Sequence, residues 1–242
     1  MNPTVSILTI SQRSRMKCLQ NLTQLVNDQD YTNIIEWIIV EGSQTEADAH
    51  VNQHHIKSLV STIPIKYLEY EPGLKLSDLR NKGNDACQGD IIVVMDDDDY
   101  YPSCRVSHAV TRLQESDCQI AGTSNVYMYD YDVDQMFQFR GFGPNHATNN
   151  TMAYMREYLT WNRHAPGLKN AEEKSFTRGF QNFMVQLDPD KCVIVSSHGA
   201  NTVSKKMFIG GGYMNLVNKP IVPAHVLESM KNALFLVKLT RK

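Results

Sequence analysis

Four consecutive aspartates, Asp96 to Asp99, follow directly on the apolar run Ile91 to Met95. A short apolar run rich in β-branched residues reads as a strand buried on both faces, as in parallel sheets covered by helices. Open α/β sheets gather their ligands at the carboxyl ends of the strands. Adjacent carboxylates repel one another and are costly to crowd without a cation. An acidic run is often only solvated surface, but this one lies between a strand and the apolar-leaning Tyr100-Tyr101-Pro102. The combination points to a site for Mg²⁺ or Mn²⁺, hard cations that also hold phosphates.

The rest of the first half repeats the strand-then-helix pattern. Thr4 to Ile10, Ile34 to Val40 and Ile63 to Tyr70 read as further strands. Helices are expected over Ser14 to Val26, Glu46 to Leu59, Ser77 to Gln88 and Pro102 to Gln114. Ser77 suits an N-cap, Gly89 a C-terminal stop and Pro102 a first turn. This order argues for an α/β fold with a mostly parallel central sheet and helices on both faces.

The second half is less regular. Short strands are expected at Gln119 to Thr123, Asn125 to Tyr129, Gln135 to Phe139 and Lys191 to Ser197. Helices are expected at Thr151 to Trp161, Ala171 to Phe180 and Ile221 to Lys238, with loops at 141–150 and 163–170. Tyr154, Tyr158 and Trp161 fall at i, i+4 and i+7, the spacing of a helix core stripe, although exposed aromatics also stack on sugar rings.

Composition excludes several classes. The net charge of −2 over 242 residues gives no footprint for nucleic acid. No apolar run reaches the roughly 18 residues of a membrane span, and Met1-Asn2-Pro3-Thr4 does not open a signal peptide. Five scattered cysteines without a CxxC pair read as reduced thiols. A cytoplasmic protein is the expectation.

The pieces Val5-Ser6-Ile7-Leu8-Thr9, Glu36-Trp37-Ile38-Ile39-Val40-Glu41-Gly42-Ser43, Leu79-Arg80-Asn81-Lys82-Gly83-Asn84 and Gly89-Asp90-Ile91-Ile92, with the DxD-like aspartates, stand in one order over residues 4–102. Together they resemble the family 2 glycosyltransferases of the GT-A fold. The run of aspartates with Tyr100-Tyr101-Pro102 is also similar to glycosyltransferase domains encoded by large DNA viruses and some bacteria. The resemblance implies a Rossmann-like nucleotide-diphospho-sugar transferase domain over 1–205, in a nucleotide-sugar half (1–102) and an acceptor half with a smaller antiparallel part (103–205). Residues 206–242 are then an extension whose helix packs on the domain.

It further implies metal-dependent, inverting transfer from a nucleotide sugar, a UDP-sugar such as UDP-glucose, to a hydroxyl of a glycan or glycoconjugate. Asp98 is the implied metal ligand, with Asp96 beside it on the metal water or the ribose. The four aspartates leave the register open between Asp96 with Asp98 and Asp97 with Asp99. Thr9, Arg13, Glu41, Arg80, Asp96, Asp97 and His198 are implied around the nucleotide. Glu41 stands where the family commonly has Asp, and Ser11-Gln12 departs from the usual aromatic. Glu173, with its neighbour Glu172, is the implied base, although two acids at a helix start also suit its dipole. Lys205 and Lys206 are candidates to close over the diphosphate. Two alternatives remain at this stage. A nucleotidyltransferase would want a glycine-rich basic loop, and residues 9–17 contain no glycine. A non-catalytic carbohydrate- or metal-binding module would keep the fold without the chemistry.

Overall fold

The computed structural model describes residues 2–43, 56–198, 214–217, 223–225 and 227–232. Its main sheet has seven strands in the order β3-β2-β1-β4-β8-β5-β9. These are β1 (Val5–Ser11), β2 (Ile34–Glu41), β3 (Ile65–Leu68), β4 (Ile91–Val94), β5 (Ile120–Gly122), β8 (Ala153–Met155) and β9 (Val185–Gln186). The first four are mutually parallel, and β8 runs antiparallel to both β4 and β5. A second sheet joins β6 (Tyr127–Asp130), β7 (Gln135–Phe139), β10 (Ile194–Ser197) and β11 (Met214–Val217) in the order β10-β6-β7-β11, with β6, β7 and β11 antiparallel.

The continuous apolar strands follow from burial on both faces. Side chains alternate along a strand. Ile7, Trp37, Ile39, Ile91 and Val93 therefore meet Leu19, Leu22 and Val26 of α1 (Met16–Asn27) and Val106, Val110 and Leu113 of α3 (Arg105–Gln114). Leu8, Ile38, Val40, Ile92 and Val94 face the other way, onto Leu79 of α2 (Leu76–Ala86) and Phe176 of α4 (Glu172–Phe176). Gly83 lets α2 lie close on β1, because a Cβ there would come within 2.4 Å of Leu8 Cδ1.

The expected helix over Thr151 to Trp161 is instead the strand β8 followed by a 3₁₀ turn, Arg156–Thr160. Pairing with β4 and β5 outweighed the aromatic spacing. Tyr154 and Tyr158 still enter the core with Phe176, whereas Trp161 is 75% exposed. The helix expected to reach Phe180 stops at Phe176, where Arg178, Gly179 and Phe180 take positive φ. A turn of helix, α5 (Pro189–Cys192), precedes β10, and β11 was not foreseen. Most of the expected Glu46–Leu59 helix, part of the C-terminal helix, and Lys205 and Lys206 lie outside the described residues. Residues 227–232 are helical, and Ser229 and Lys231 bond to Asn21 and Asp134. No described helix is long and apolar enough to cross a membrane.

Candidate active site

The carboxyl ends of β1, β2 and β4 emerge side by side, and each ends in polar residues. The parallel register sets Ser11 opposite Glu41, and Leu8 opposite Val94. Three residues further along, Ser11 Oγ donates to Asp97 Oδ2 at 2.6 Å. Thr9, expected near the nucleotide, lies wholly within the sheet. Its hydroxyl donates to Met95 O at 2.7 Å and accepts from Trp37 Nε1 at 2.9 Å, so it ties the three central strands together.

The four aspartates have four different surroundings. Asp96 faces Arg80, whose Nη2 is 3.4 Å away, and its backbone N–H donates to Tyr101 Oη at 2.7 Å. Asp97 is buried between Ser11 and Arg15. Asp98 Oδ2 lies 2.9 Å from His198 Nε2 and 2.5 Å from Arg15 Nη2. Asp99 is structural: it accepts from Asn150 Nδ2 at 2.6 Å and from Ser196 N at 2.8 Å, and so pins the loop before β8 and strand β10. Burial pushes the carboxyls of Asp96 and Asp97 above the usual range, opposed by Arg80 and Arg15 respectively. The neighbouring carboxylates add to that rise, so the cluster favours added positive charge.

The structure brings Arg13 to Glu41 and Glu69 rather than to the aspartates. Glu41 is buried and also accepts from Ser43 N at 2.7 Å and from the Ser43 and Tyr67 hydroxyls. Burial and the Glu41 bond push the Tyr67 hydroxyl up. Glu41 and Arg13 thus stand at the end of β2 towards β3, and the aspartates at the end of β4.

Arg80 connects the two halves. Its Nε donates to Glu172 Oε1 at 2.8 Å while its guanidinium end faces Asp96. Asn149 Nδ2 donates to the same Glu172 oxygen at 2.8 Å. Although burial opposes it, the charge of Arg80, a backbone N–H and the Arg80 hydrogen bond hold Glu172 below the usual carboxylate range. Glu173, next in the chain, is pushed upward by burial and by the charge of Glu172. The pair thus divides into an anchored carboxylate and a more basic one. The preceding residue, Ala171, sits in the left-handed region at φ 52°, which turns the chain sharply into α4.

The loop before α4 is fastened to α2. Asn81 and His164 exchange two bonds of 2.9 and 3.1 Å, Leu168 N donates to Ser77 Oγ at 2.9 Å, and Arg163 makes a bidentate pair with Asp85 at 2.8 Å. The buried His164 ring stacks on Phe176 at 4.3 Å, and its Nδ1 lies 3.2 Å from Glu172 O. Burial, with Arg80 nearby, lowers its pKa to about 4. An unfolded histidine takes up a proton near pH ~6.5, whereas the folded one refuses it down to about pH 4. Its contribution to stability is therefore full above the unfolded value and is lost as pH falls through this window. Chemical denaturation at stepped pH should show about 3 kcal/mol lost through this group, and His164→Gln should flatten that slope.

The residues missed by sequence reasoning are Arg15, Asn149, Asn150 and His164. Only the approach of distant segments reveals their partners. The free thiols of Cys18 and Cys87 are buried and pushed up to about 12, which leaves them inert. Among the described residues, no three His, Cys, Asp or Glu side chains converge as a preformed metal cage.

Comparison with known proteins follows this geometry. The sequence model described as glycosyl transferase family 2 matches residues 7–174. No curated protein matches the chain. Among solved structures, S. aureus TarS 1–349 in complex with UDP-GlcNAc is similar with a TM-score of 0.61 and 15% identity, covering 82% of this chain and 60% of that one. The mannosyltransferase PcManGT from Pyrobaculum calidifontis, in complex with GDP-Man and Mn²⁺, is similar with a TM-score of 0.63 and 13% identity, covering 83% and 59%. The chain therefore spans about 60% of the length of these structures. With the family match running from β1 through the acidic pair of α4, the chain belongs to glycosyl transferase family 2, on the GT-A fold.

Proposed function

We propose that the chain transfers a sugar, with inversion, from a nucleotide diphosphate sugar to a hydroxyl of a glycan or glycoconjugate, assisted by Mn²⁺ or Mg²⁺. The observation that carries this reading is the Arg80 bridge. One buried guanidinium joins Asp96, at the end of β4, to Glu172, at the start of α4. It fixes the spacing between an acidic, cation-demanding site and a carboxylate pair tuned unequally, as a leaving-group site and a base require.

The donor set fits a divalent cation. Asp98 offers hard oxygen and His198, 2.9 Å away, offers imidazole, a pairing that suits Mn²⁺ at least as well as Mg²⁺. Two protein ligands leave the other coordination positions to diphosphate and water, the habit of phosphate-handling metal sites. When bound there, the ion neutralises the diphosphate as it leaves. Asp96 takes the ribose or a metal-bound water in this reading. Glu41, with Ser43, Tyr67 and Arg13 around it, contacts the nucleobase in this reading. Its register at the end of β2 supports that role, and the UDP-GlcNAc held by TarS favours a UDP-sugar as the first donor to try.

At the acceptor end, Glu173 takes the proton of the attacking hydroxyl. The acceptor oxygen forms a bond to the anomeric carbon, the bond from that carbon to the diphosphate oxygen breaks, and the electron pair departs with the diphosphate. Glu172 holds the helix start in place through Arg80 and Asn149 and does not touch the proton. A single displacement inverts the anomeric centre, by analogy with inverting hydrolases.

Binding tests this directly. UDP and GDP titrated by calorimetry, with and without Mn²⁺, should bind wild type in a metal-dependent manner. Asp98→Ala should lose the metal-dependent part, about a hundredfold in affinity. Equal, metal-indifferent binding in both proteins contradicts the assignment. Absence of any nucleotide binding by a folded protein favours a non-catalytic module.

A further inference from the structure

Arg15 has no place in the scheme above, yet it makes the closest charge contacts in the aspartate cluster. It ends the short 3₁₀ turn Arg13–Arg15 that leads from β1 into α1. The turn is fixed by Arg15 N donating to Gln12 O at 2.8 Å. The side chain is 14% exposed, and its Nη2 lies 2.7 Å from Asp97 Oδ1 and 2.5 Å from Asp98 Oδ2. One nitrogen thus sits between the two carboxylates, on the same Asp98 oxygen that faces His198. Nη2 is within ion-pair distance of both carboxylates at once. A guanidinium normally meets carboxylates as a fork with two parallel bonds. Here a single nitrogen serves both carboxylates.

We propose that Arg15 is a built-in counter-cation of this site, which competes with a divalent ion for Asp98. The proposal rests on the metal-dependent reading above. A divalent ion reaching Asp98 must either displace the guanidinium or bind beside it against repulsion. A nucleoside diphosphate offers the fork better acceptors, because phosphate oxygens match its planar donors. Metal and diphosphate therefore reinforce one another through Arg15, in addition to any direct contact between them. The consequence is a site with weak affinity for free cations and firm affinity for the cation–nucleotide pair, so donor binding and metal loading are coupled.

The test is the affinity for Mn²⁺ alone, followed by paramagnetic resonance of free Mn²⁺, with and without UDP or GDP. Removing a unit charge in contact with the ligand oxygen should tighten binding of Mn²⁺ alone about tenfold or more in Arg15→Gln. The gain from adding nucleotide should shrink correspondingly. Arg15→Lys, which keeps the charge, should stay near wild type. The Mn²⁺-induced rise in Tm is the second readout and should be larger in Arg15→Gln than in wild type, including when the variant folds only with Mn²⁺ present. An Arg15→Gln protein that binds Mn²⁺ no more tightly than wild type, or that no Mn²⁺ concentration stabilises, overturns the role of Arg15. Wild type that binds no Mn²⁺ even with nucleotide overturns the metal-dependent reading itself, a distinct result.

Discussion

Glu173→Gln should lower the rate of sugar transfer by about 10²–10⁴-fold while leaving binding of the nucleotide sugar nearly unchanged. The amide keeps the size of the side chain and loses only the capacity to accept a proton. The expected specificity of the loss follows from the division between the two glutamates. Glu172 is buried and tied to Arg80 and Asn149, and the charge of Arg80 holds it below the usual carboxylate range. Glu173 is raised by burial and by its neighbour, which moves it toward the basicity a general base requires. The wild-type rate should therefore fall as pH drops through the raised Glu173 value, with a midpoint above that of an ordinary glutamate. The acid limb should vanish in the variant. Rapid-mixing measurements of nucleoside diphosphate release across pH check both. A Glu173→Gln enzyme with a wild-type rate would move the base elsewhere.

Arg80→Met should cost about 3–5 kcal/mol of stability, because it strands Glu172 and Asp96 without their shared cation. For a chain of this length that corresponds to a drop in Tm of roughly 6–20 °C. The cost lies in the uncompensated charge rather than in the lost pair. Adding Glu172→Leu to Arg80→Met should therefore restore a substantial part of the stability, since buried pairs are often replaceable by apolar residues. Calorimetric melting of the two singles and the double closes the cycle. Additive losses in the double variant would show that Arg80 acts through packing alone.

The legible parts of this protein were those written in local pattern. The apolar runs at β1, β2 and β4 have no polar face because helices cover both sides of the sheet, and that alone marks a parallel α/β core. The aspartates stood out because strand and acid are adjacent in the chain. The illegible parts depend on contacts between distant segments. Tyr154 and Tyr158 share the spacing of a helix, but β8 is set by its partners β4 and β5, and the tyrosines reach the core from a strand and a 3₁₀ turn. Arg13 and Arg15 differ by two positions in a turn whose handedness no periodicity records, yet one faces Glu41 and the other Asp97 and Asp98. His198 and Asp98 were each implied by the resemblance, but their meeting at 2.9 Å across a hundred residues was not. The Thr9 hydroxyl, implied near the nucleotide, bonds to Met95 O and Trp37 Nε1, partners that no local pattern reveals.

The most direct test of the account is release of nucleoside diphosphate from a panel of UDP- and GDP-sugars, with and without Mn²⁺, by wild type and Asp98→Ala. The account predicts Mn²⁺-dependent release from one donor by wild type, and loss of that release in the variant with its fold intact. Release by Asp98→Ala at the wild-type, Mn²⁺-dependent rate would contradict it.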